Sequence, residues 1–190
     1  VNVCMKSLLL AGGRSSRMGR DKALIEVGGV ACIARVASAL AAAGCEPIRI
    51  AVAQPEDVER YGSVMPDGLD VEWVLDAVTH AGPIEAVIEA LTDPMVADSD
   101  SIQLCPVDVP WVTADLFFEL EKTLGSGDLL AIPADPQRAH PLLARVRPSI
   151  ASKIAEDRRP LHVQFSEMEH STLLTEAAIL RNVNTPDDLN

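Results

Sequence analysis

Basic residues are scarce in this sequence. Its 190 residues include 16 lysines and arginines against 28 aspartates and glutamates, a net charge of −12 with an isoelectric point near 4.6. Proteins that bind duplex DNA or RNA need a broad basic face, so nucleic acid is not expected as a partner. No apolar run approaches the roughly 20 residues that cross a bilayer, so a membrane is not expected either. The first residues also lack a secretory signal pattern, and we therefore expect a cytoplasmic protein.

Cysteine is rare as well, and its spacing excludes the common structural uses of this residue. The sequence contains no C-x-x-C pair and no histidine at zinc-ligand spacing beside a cysteine. A catalytic thiol at Cys105 would need a neighbouring base, and nothing in the sequence places one there. We expect small buried side chains at all four positions, which are Cys4, Cys32, Cys45 and Cys105.

Apolar and helical segments alternate along the chain, which predicts an α/β fold. The strand segments are continuous apolar runs, as in a parallel sheet that helices cover on both faces. The length fits a single domain over 1–190, a three-layer α/β/α domain with a Rossmann-like, mostly parallel sheet. Gly28-Gly29 should form a turn, and Gly44 should end the first helix. The predicted strands are 3–10, 47–53, 71–76, 101–107, 128–133, 140–146 and 179–183, and the predicted helices are 31–43, 83–91, 113–124 and 148–157.

Positive charge is concentrated in one glycine-rich segment that follows the first predicted strand, residues 10–22. Glycine lets the backbone approach a ligand closely, so we expect the amides of Gly12 and Gly13 to converge on an anion. Arginine and lysine side chains suit phosphate oxygens, which predicts a small polyanion as the ligand. The alternative is a surface loop with solvated arginines. The basic residues are Arg14, Arg17, Arg20 and Lys22.

The spacing in this segment excludes two common phosphate loops. A Walker A loop has a lysine directly after its last glycine and a serine or threonine after the lysine, whereas here Arg20 follows Gly19 and Ala23 follows Lys22. A Rossmann fingerprint has spaced glycines that open a long helix, whereas this segment has adjacent glycines and leads into an extended stretch. The phosphate site is therefore of another kind.

Two aspartates follow predicted strands at positions where open α/β sheets bind ligands. Asp108 follows a buried strand, and one or two carboxylates with phosphate oxygens are enough to hold Mg²⁺. Asp76 ends another strand, and a carboxylate can accept hydrogen bonds from the N1–H and amino group of guanine. Either aspartate could instead cap the turn that follows it.

The sequence resembles the family of nucleotidyltransferases that includes molybdenum cofactor guanylyltransferase, the MobA type. Residues 10–22 match the family pattern L-A-G-G-x-x-x-R-M-G-x-D-K. Further segments match in the family's order: Gly82-Pro83-Ile84, Cys105-Pro106-Val107-Asp108-Val109-Pro110, His140-Pro141-Leu142 and Asn182-Val183-Asn184-Thr185-Pro186-Asp187-Asp188-Leu189. The resemblance covers nearly the whole chain and implies a fold of the nucleotide-diphospho-sugar transferase type.

The resemblance implies that GMP is transferred from GTP to the terminal phosphate of molybdopterin, or of its molybdenum form, with Mg²⁺ as the cofactor. It also implies transient contact with molybdenum-insertion proteins or with target molybdoenzymes. The implied catalytic residues are Arg17, Lys22 and Asp108, with Asp108 as the metal ligand. The implied nucleotide-binding residues are Leu10, Ala11, Gly12, Gly13, Arg14, Lys22, Asp76, Gly82 and Asp108, and the implied acceptor-binding residues are Asn182, Asn184 and Arg159.

Some assignments on the acceptor side stay open. Asn182 and Asn184 could serve only the C-terminal turn, and Arg159, beside Arg158, could belong to a solvated charged turn. His140 lies in a family motif, whereas the other histidines, including His162 and His170, are interpreted as ordinary surface or loop residues. No histidine is expected to act as a catalytic base.

One segment departs from the family pattern. The family sequence Gly-Pro-Leu-Ala-Gly is Gly82-Pro83-Ile84-Glu85-Ala86 here, which changes the residues near the expected base site. Two alternatives to guanylyl transfer therefore stand. The chain could use CTP or another phosphorylated acceptor, or it could bind a nucleotide without turnover.

Overall fold

A computed structural model describes residues 4–12, 21–76, 83–157, 159–184 and 186–189. The strands are β1 (Ser7–Leu10), β2 (Glu26–Val27), β3 (Val30–Ala31), β4 (Ile48–Val52), β5 (Val71–Leu75), β6 (Ile102–Pro106), β7 (Leu130–Ala134), β8 (Arg145–Val146) and β9 (His170–Leu174). The α-helices are α1 (Cys32–Ala42), α2 (Pro55–Gly62), α3 (Pro83–Thr92), α4 (Pro94–Ala97), α5 (Ala114–Thr123), α6 (Ala151–Glu156) and α7 (Leu161–Glu167). Short 3₁₀ helices span Lys22–Leu24, Pro141–Leu143, Pro148–Ile150 and Pro186–Leu189.

Seven of the described strands form one sheet in the order β5-β4-β1-β6-β8-β7-β9. Every pairing in it is parallel except the two that β8 makes with β6 and β7. The chain runs outward from β1 to β4 and β5, and then crosses back to β6 on the other side of β1. The expected mostly parallel α/β sheet is confirmed, and its strand order reverses between β1 and β6, where such sheets bind ligands.

The apolar runs of the strands are explained by burial on both faces. Leu9 of β1 packs in one core cluster with α1 and α5, whereas its neighbours Leu8 and Leu10 pack in a second cluster with α3, α6 and α7. All three side chains are buried. Because successive side chains of a strand point to opposite faces, a strand covered on both sides favours apolar residues on both faces. The buried Ser7 hydroxyl is satisfied by donating to Cys45 O. No helix in the described ranges is long and apolar enough to cross a membrane.

The predicted turn at Gly28-Gly29 and the predicted helix end at Gly44 are confirmed. Gly28 and Gly29 have φ angles of 61° and 78° and join β2 to β3, the backbone that a two-residue hairpin turn requires. Gly44 has φ of 71° just after α1, where a left-handed residue ends a helix.

Two predicted strands are wrong in whole or in part. Within 140–146 a 3₁₀ helix occupies Pro141–Leu143, and only Arg145–Val146 pair in the sheet. Proline has no N–H to donate to a ladder, which favours the turn. The segment 179–183 has no strand; Leu180 and Val183 are fully buried, but they anchor a loop to the core. Their apolar character comes from this anchoring.

Four elements were not predicted. The helices α2, α4 and α7 are short, and β9 is an edge strand whose sequence His-Ser-Thr-Leu-Leu is half polar. An edge strand needs no continuous apolar run, because part of its surface faces solvent. His170 and Thr172 of this strand line a cavity of about 670 Å³.

Candidate active site

The site lies at the carboxyl ends of β1 and β6, at the point where the strand order reverses. Ala11 and Gly12 continue β1, and their amides both donate to Ala51 O, at 3.0 and 2.9 Å. Val107 continues β6 with its amide on Leu10 O at 3.1 Å, so that Asp108 follows directly at the sheet edge. The prediction that the Gly12 amide faces an anion is wrong, because Ala51 O already accepts from it.

Three residues far apart in the sequence meet beside β6. Lys22 Nζ lies 3.4 Å from Asp108 Oδ2 and donates to Asn184 Oδ1 at 2.7 Å. The Val183 amide donates to Asp108 O at 2.8 Å, which holds the C-terminal segment against the end of β6. The structure thus brings together a predicted catalytic lysine, the predicted metal ligand and a predicted acceptor-site asparagine.

The position of Lys22 depends on Asp21, whose role the sequence interpretation missed. Asp21 caps the 3₁₀ turn, with Oδ1 accepting from the Ala23 amide at 3.1 Å. Its other oxygen accepts from Arg60 at 3.0 Å and from the Tyr61 hydroxyl at 2.8 Å, both on α2. The three contacts fix the turn that carries Lys22. An aspartate directly before a lysine in a glycine-rich segment was the available signal for this cap.

Asp108 has the features of a ligand for a divalent cation. Its Oδ1 is buried and accepts no hydrogen bond from the described residues. A buried carboxylate oxygen without a partner is costly, which is the expected condition of an oxygen that a cation will satisfy. No group of three or more potential ligands from histidine, cysteine, aspartate and glutamate occurs in the described ranges.

Asp76 lies against the start of the glycine-rich segment. A Cβ atom added to Gly12 would overlap Asp76 Oδ2, so the glycine permits the close approach of this carboxylate. The Asp76 amide donates to Val52 O at 2.9 Å, which fixes the backbone at the end of β5. Burial raises the pKa of the Asp76 carboxyl, and the neighbouring Glu89 raises it further. The carboxylate is therefore held in an environment that disfavours its charge.

Two cavities adjoin at Asp108 within the described part of the chain. The smaller, about 280 Å³, is lined by the glycine-rich segment and the Lys22 turn, including Leu10, Ala11 and Gly12. The larger, about 670 Å³, extends from Asp108 and Asn182 toward α7 and β9. Pro106, Asp108 and Leu142 line both. A group bound in one cavity can therefore meet a group bound in the other at the Asp108 carboxylate.

A family model described as the MobA-like NTP transferase domain matches residues 7–164. The chain belongs to this family. It is therefore a nucleotidyltransferase, as the sequence resemblance implied. A probable molybdenum cofactor guanylyltransferase of Mycobacterium ulcerans is 30% identical over 193 residues, a match that covers 98% of this chain and 92% of that protein.

Solved structures of the same fold accompany this match. Molybdopterin-guanine dinucleotide biosynthesis protein A of Archaeoglobus fulgidus superposes with a TM-score of 0.73 at 22% identity, covering 97% of this chain and 95% of that one. A Mycobacterium tuberculosis protein solved in complex with manganese gives a TM-score of 0.69 at 18% identity, with coverage of 96% and 94%. At these identities the two structures establish the nucleotide-diphospho-sugar transferase fold of this MobA-like chain.

The larger cavity of this MobA-like chain contains residues that the sequence interpretation set aside. His162 is exposed on α7, as the surface assignment predicted, and His170 is half-buried on β9; both line this cavity. His140 lines it too and is held by Asp135, whose Oδ2 lies 2.8 Å from His140 Nε2. These two histidines lie on α7 and β9, two of the elements that the sequence pattern did not predict.

The Arg159 side chain is paired with two carboxylates outside the larger cavity. Its guanidinium pairs with Asp157 at 2.6 Å and with Glu167 at 2.7 Å, and it is not among the described residues that line the larger cavity. The structure therefore does not bring Arg159 to the other predicted acceptor residues. Six further residues of the sequence prediction lie outside the described residues: Gly13, Arg14, Arg17, Arg20, Gly82 and Arg158.

Three of the four cysteines are buried, and none of the four forms a disulfide. Cys32, Cys45 and Cys105 are buried as expected, whereas Cys4 is half-buried. Burial raises the pKa of the Cys105 thiol well above its ordinary range, so the thiolate that a nucleophile needs is disfavoured.

The opposite pKa shifts of two aspartates predict opposite effects of the same substitution on stability. The raised pKa of Asp76 means that its charge is unfavourable in the fold, a cost that grows as pH rises through that pKa. We expect Asp76→Asn to raise the Tm of the ligand-free protein at about pH 8, with a gain that shrinks as pH falls toward about 4.

Asp135→Asn is the matched comparison. The hydrogen bond from His140 lowers the pKa of Asp135, with the amides of Gln137 and Arg138 adding to this effect. Its stabilisation is present above the unfolded pKa and is lost as pH falls, so Asp135→Asn should lower the Tm at about pH 8. Thermal unfolding of both variants from about pH 5 to 8 checks the pair. An equal decrease for both would contradict the assigned environment of Asp76.

Proposed function

We propose that this nucleotidyltransferase transfers GMP from GTP to the terminal phosphate of molybdopterin or its molybdenum form, releasing pyrophosphate. The observation that carries the proposal is the junction of the two cavities at Asp108, where Lys22 also lies. Nucleotidyl transfer needs two phosphate groups brought together beside a cation and a divalent metal, and little covalent chemistry from the protein.

In this reaction an oxygen of the acceptor phosphate attacks the α-phosphorus of GTP, and the bond from that phosphorus to the β-bridging oxygen breaks. The smaller cavity holds the nucleotide, and the larger cavity holds the acceptor. Lys22 lines the smaller cavity beside Asp108 and neutralises the charge that gathers on the leaving pyrophosphate. The acceptor phosphate is already anionic at neutral pH, so no strong general base is required. The protein accelerates the reaction by positioning the two phosphate groups and by neutralising the charge on the leaving pyrophosphate.

The residues present fit a divalent cation at Asp108. The unpartnered Asp108 Oδ1 would hold it, with Lys22 on the other carboxylate oxygen. A bound Mg²⁺ supplies Lewis-acid polarisation of phosphate oxygens and screens one anion from the other. The manganese complex of the Mycobacterium tuberculosis relative supports a divalent ion in this fold.

Asp76 is proposed to select the nucleotide base. A carboxylate can accept from both the N1–H and the amino group of guanine, a donor pair that cytosine does not present in the same arrangement. Burial, which raises the pKa of Asp76, would be offset by these hydrogen bonds to its charged form. Ala86, one of the departures from the family pattern, is buried in the core cluster around α3.

Pyrophosphate release with each nucleotide and a molybdopterin acceptor tests the proposal. We expect release with GTP and Mg²⁺, and little with CTP or ATP. A thermal-shift panel without acceptor should show GTP-selective stabilisation, since a ligand at about 100 times its Kd adds ~2.7 kcal/mol. Release with CTP alone would replace the guanine assignment. GTP binding without product on any pterin acceptor would make the chain a non-catalytic nucleotide-binding protein.

Gly12→Ala is expected to weaken GTP binding by about 10–100-fold, the value of one or two hydrogen bonds to a charged group. The added Cβ would displace the Asp76 carboxylate from its place beside Gly12. Isothermal titration with GTP and Mg²⁺ measures the change, and CTP binding should change less.

Gly125→Ala is the matched control. A Cβ there would lie 2.7 Å from Asp128 Oδ2, so it also displaces a carboxylate, but away from both cavities. We expect Gly125→Ala to cost stability without changing GTP affinity. If both variants bound GTP as the wild type does, Asp76 would not contact the base.

A further inference from the structure

One wall of the larger cavity carries polar side chains that the proposed chemistry does not use. His162 and Ser166 lie four residues apart on α7, so they share one face of that helix. His170 and Thr172 lie two residues apart on β9, so they share one face of that strand. All four line the cavity. We call these four residues the α7–β9 wall.

The hydrogen-bonding capacity of this wall is partly fixed by its own backbone contacts. His170 Nδ1 lies 2.8 Å from Met168 O, and a carbonyl oxygen can only accept, so Nδ1 carries the hydrogen. In the neutral ring, His170 Nε2 is then an acceptor. The Ser166 hydroxyl donates to Val163 O at 2.7 Å, which leaves its oxygen able to accept from a ligand. The wall therefore offers hydrogen-bond acceptors at two defined atoms, His170 Nε2 and Ser166 Oγ.

Ser171 and Leu173 alternate with His170 and Thr172 along β9, and their contacts show which face of the strand belongs to the wall. Ser171 bonds to Asp128 Oδ2, and Leu173 packs against the core cluster that contains α1 and α5. His170 and Thr172 therefore lie on the opposite face of β9. Thr172 is exposed and His170 is half-buried, so both are accessible to a ligand.

Beyond this wall the cavity is largely apolar. Ile132, Val109 and Leu143 line it and are buried. Arg138 is the one lining lysine or arginine among the described residues, and Asp108 the one lining carboxylate. A polyphosphate would need more cations than this. Apolar sides with a few convergent polar groups suit a flat heterocycle that hydrogen-bonds along one edge.

We propose, resting on the proposed function, that the α7–β9 wall determines acceptor specificity by hydrogen-bonding the edge of the acceptor's nitrogen heterocycle. The terminal phosphate of the acceptor lies at Asp108, and its ring system extends to the wall. His170 Nε2 accepts from a ring N–H or amino group, and the Thr172 hydroxyl bonds the adjacent ring position. His162 and Ser166 close the same edge from α7.

The test uses the whole chain and a stable probe, hydroxymethylpterin monophosphate. We expect His170→Leu and Thr172→Val each to weaken probe binding about tenfold, as loss of a ligand hydrogen bond requires, with no change in the Kd for GTP and Mg²⁺. The KM for molybdopterin should rise by the same factor, while the KM for GTP stays constant. His170→Gln, which keeps a polar edge, should recover part of the loss.

Thr175→Val is the matched control, because Thr175 follows β9 directly and does not line the cavity. It should leave probe binding unchanged. In ¹⁵N-histidine spectra the probe should shift the imidazole resonances of His162 and His170, whereas GTP with Mg²⁺ should not. These spectra report on the wild type, so they stand even if a variant folds poorly.

The outcomes separate this inference from the proposed function. Turnover with an unchanged acceptor KM in both variants would overturn the inference and leave the function intact. Probe binding that depends on His170 and Thr172, in a chain that makes no dinucleotide from GTP, would keep the inference and overturn the function. Absence of probe binding by the wild type, or unmoved histidine resonances, would also overturn the inference.

Discussion

Asp108→Asn is expected to reduce product formation about 1000-fold, the upper range for loss of one group that stabilises transition-state charge. The amide that replaces the carboxylate is neutral and a poor ligand for Mg²⁺. Asp108 Oδ2 also faces Lys22 at 3.4 Å, so the variant leaves this lysine without its carboxylate partner. The measurement is pyrophosphate release with GTP and a molybdopterin acceptor over a range of Mg²⁺ concentrations.

The control for this variant is Asp100→Asn. Asp100 has an 88% exposed side chain, pairs with Arg147 and precedes β6, whereas Asp108 follows the other end of that strand. Exposed pairs of this kind contribute little, so turnover should be unchanged. If Asp108→Asn formed product at the wild-type rate, with the same Mg²⁺ dependence, the assignment of Asp108 as the metal ligand would be wrong.

Lys22→Met should lower kcat about 100-fold, with a smaller change in the KM for GTP. The methionine keeps most of the side-chain volume but removes the charge that lines the smaller cavity beside Asp108. Since the charge on pyrophosphate grows as the bond breaks, the lysine acts more strongly on the transition state than on bound GTP. Steady-state kinetics with separate variation of GTP and acceptor give both constants.

Lys122→Met is the matched substitution elsewhere. Lys122 is 70% exposed on α5 and pairs with Glu119 at 2.6 Å, so it should leave kcat unchanged. A second comparison is Asn184→Ala, which removes the hydrogen bond that positions Lys22 without removing its charge. It should cost less than Lys22→Met. An increase in the KM for GTP alone in Lys22→Met would make the lysine a binding residue without a role in the chemical step.

The sequence could predict those parts of the structure that depend on local pattern. The runs that became β1 and β6 are mostly apolar because helices cover both faces, so a parallel sheet could be predicted from them. The two polar exceptions, Ser7 and Gln103, donate to backbone carbonyls. Asp108 was readable too, since it directly follows one of these runs. Gly28, Gly29 and Gly44 have the positive φ angles that their positions predicted.

Other features depend on contacts between distant segments and could not be predicted. Arg159 pairs with Asp157 and Glu167. These pairs could not be predicted, because they form only where α7 ends beside the turn that precedes it. Apolar residues at 179–183 indicated a strand, although Leu180 serves as a loop anchor. The histidines of the α7–β9 wall were missed because β9 is polar on one face and pairs only along one edge.

The hydrogen bond between Lys22 and Asn184 joins residues 162 positions apart. During translation, residue 22 leaves the ribosome long before residue 184 has been added. The growing chain can therefore pair β1 with β4 before the contact between Lys22 and Asn184 can form. The Lys22 side chain should accordingly reach its final position late in synthesis, after residue 184 has met residue 22. A nascent chain arrested before residue 184 would be folded in part and would lack this contact.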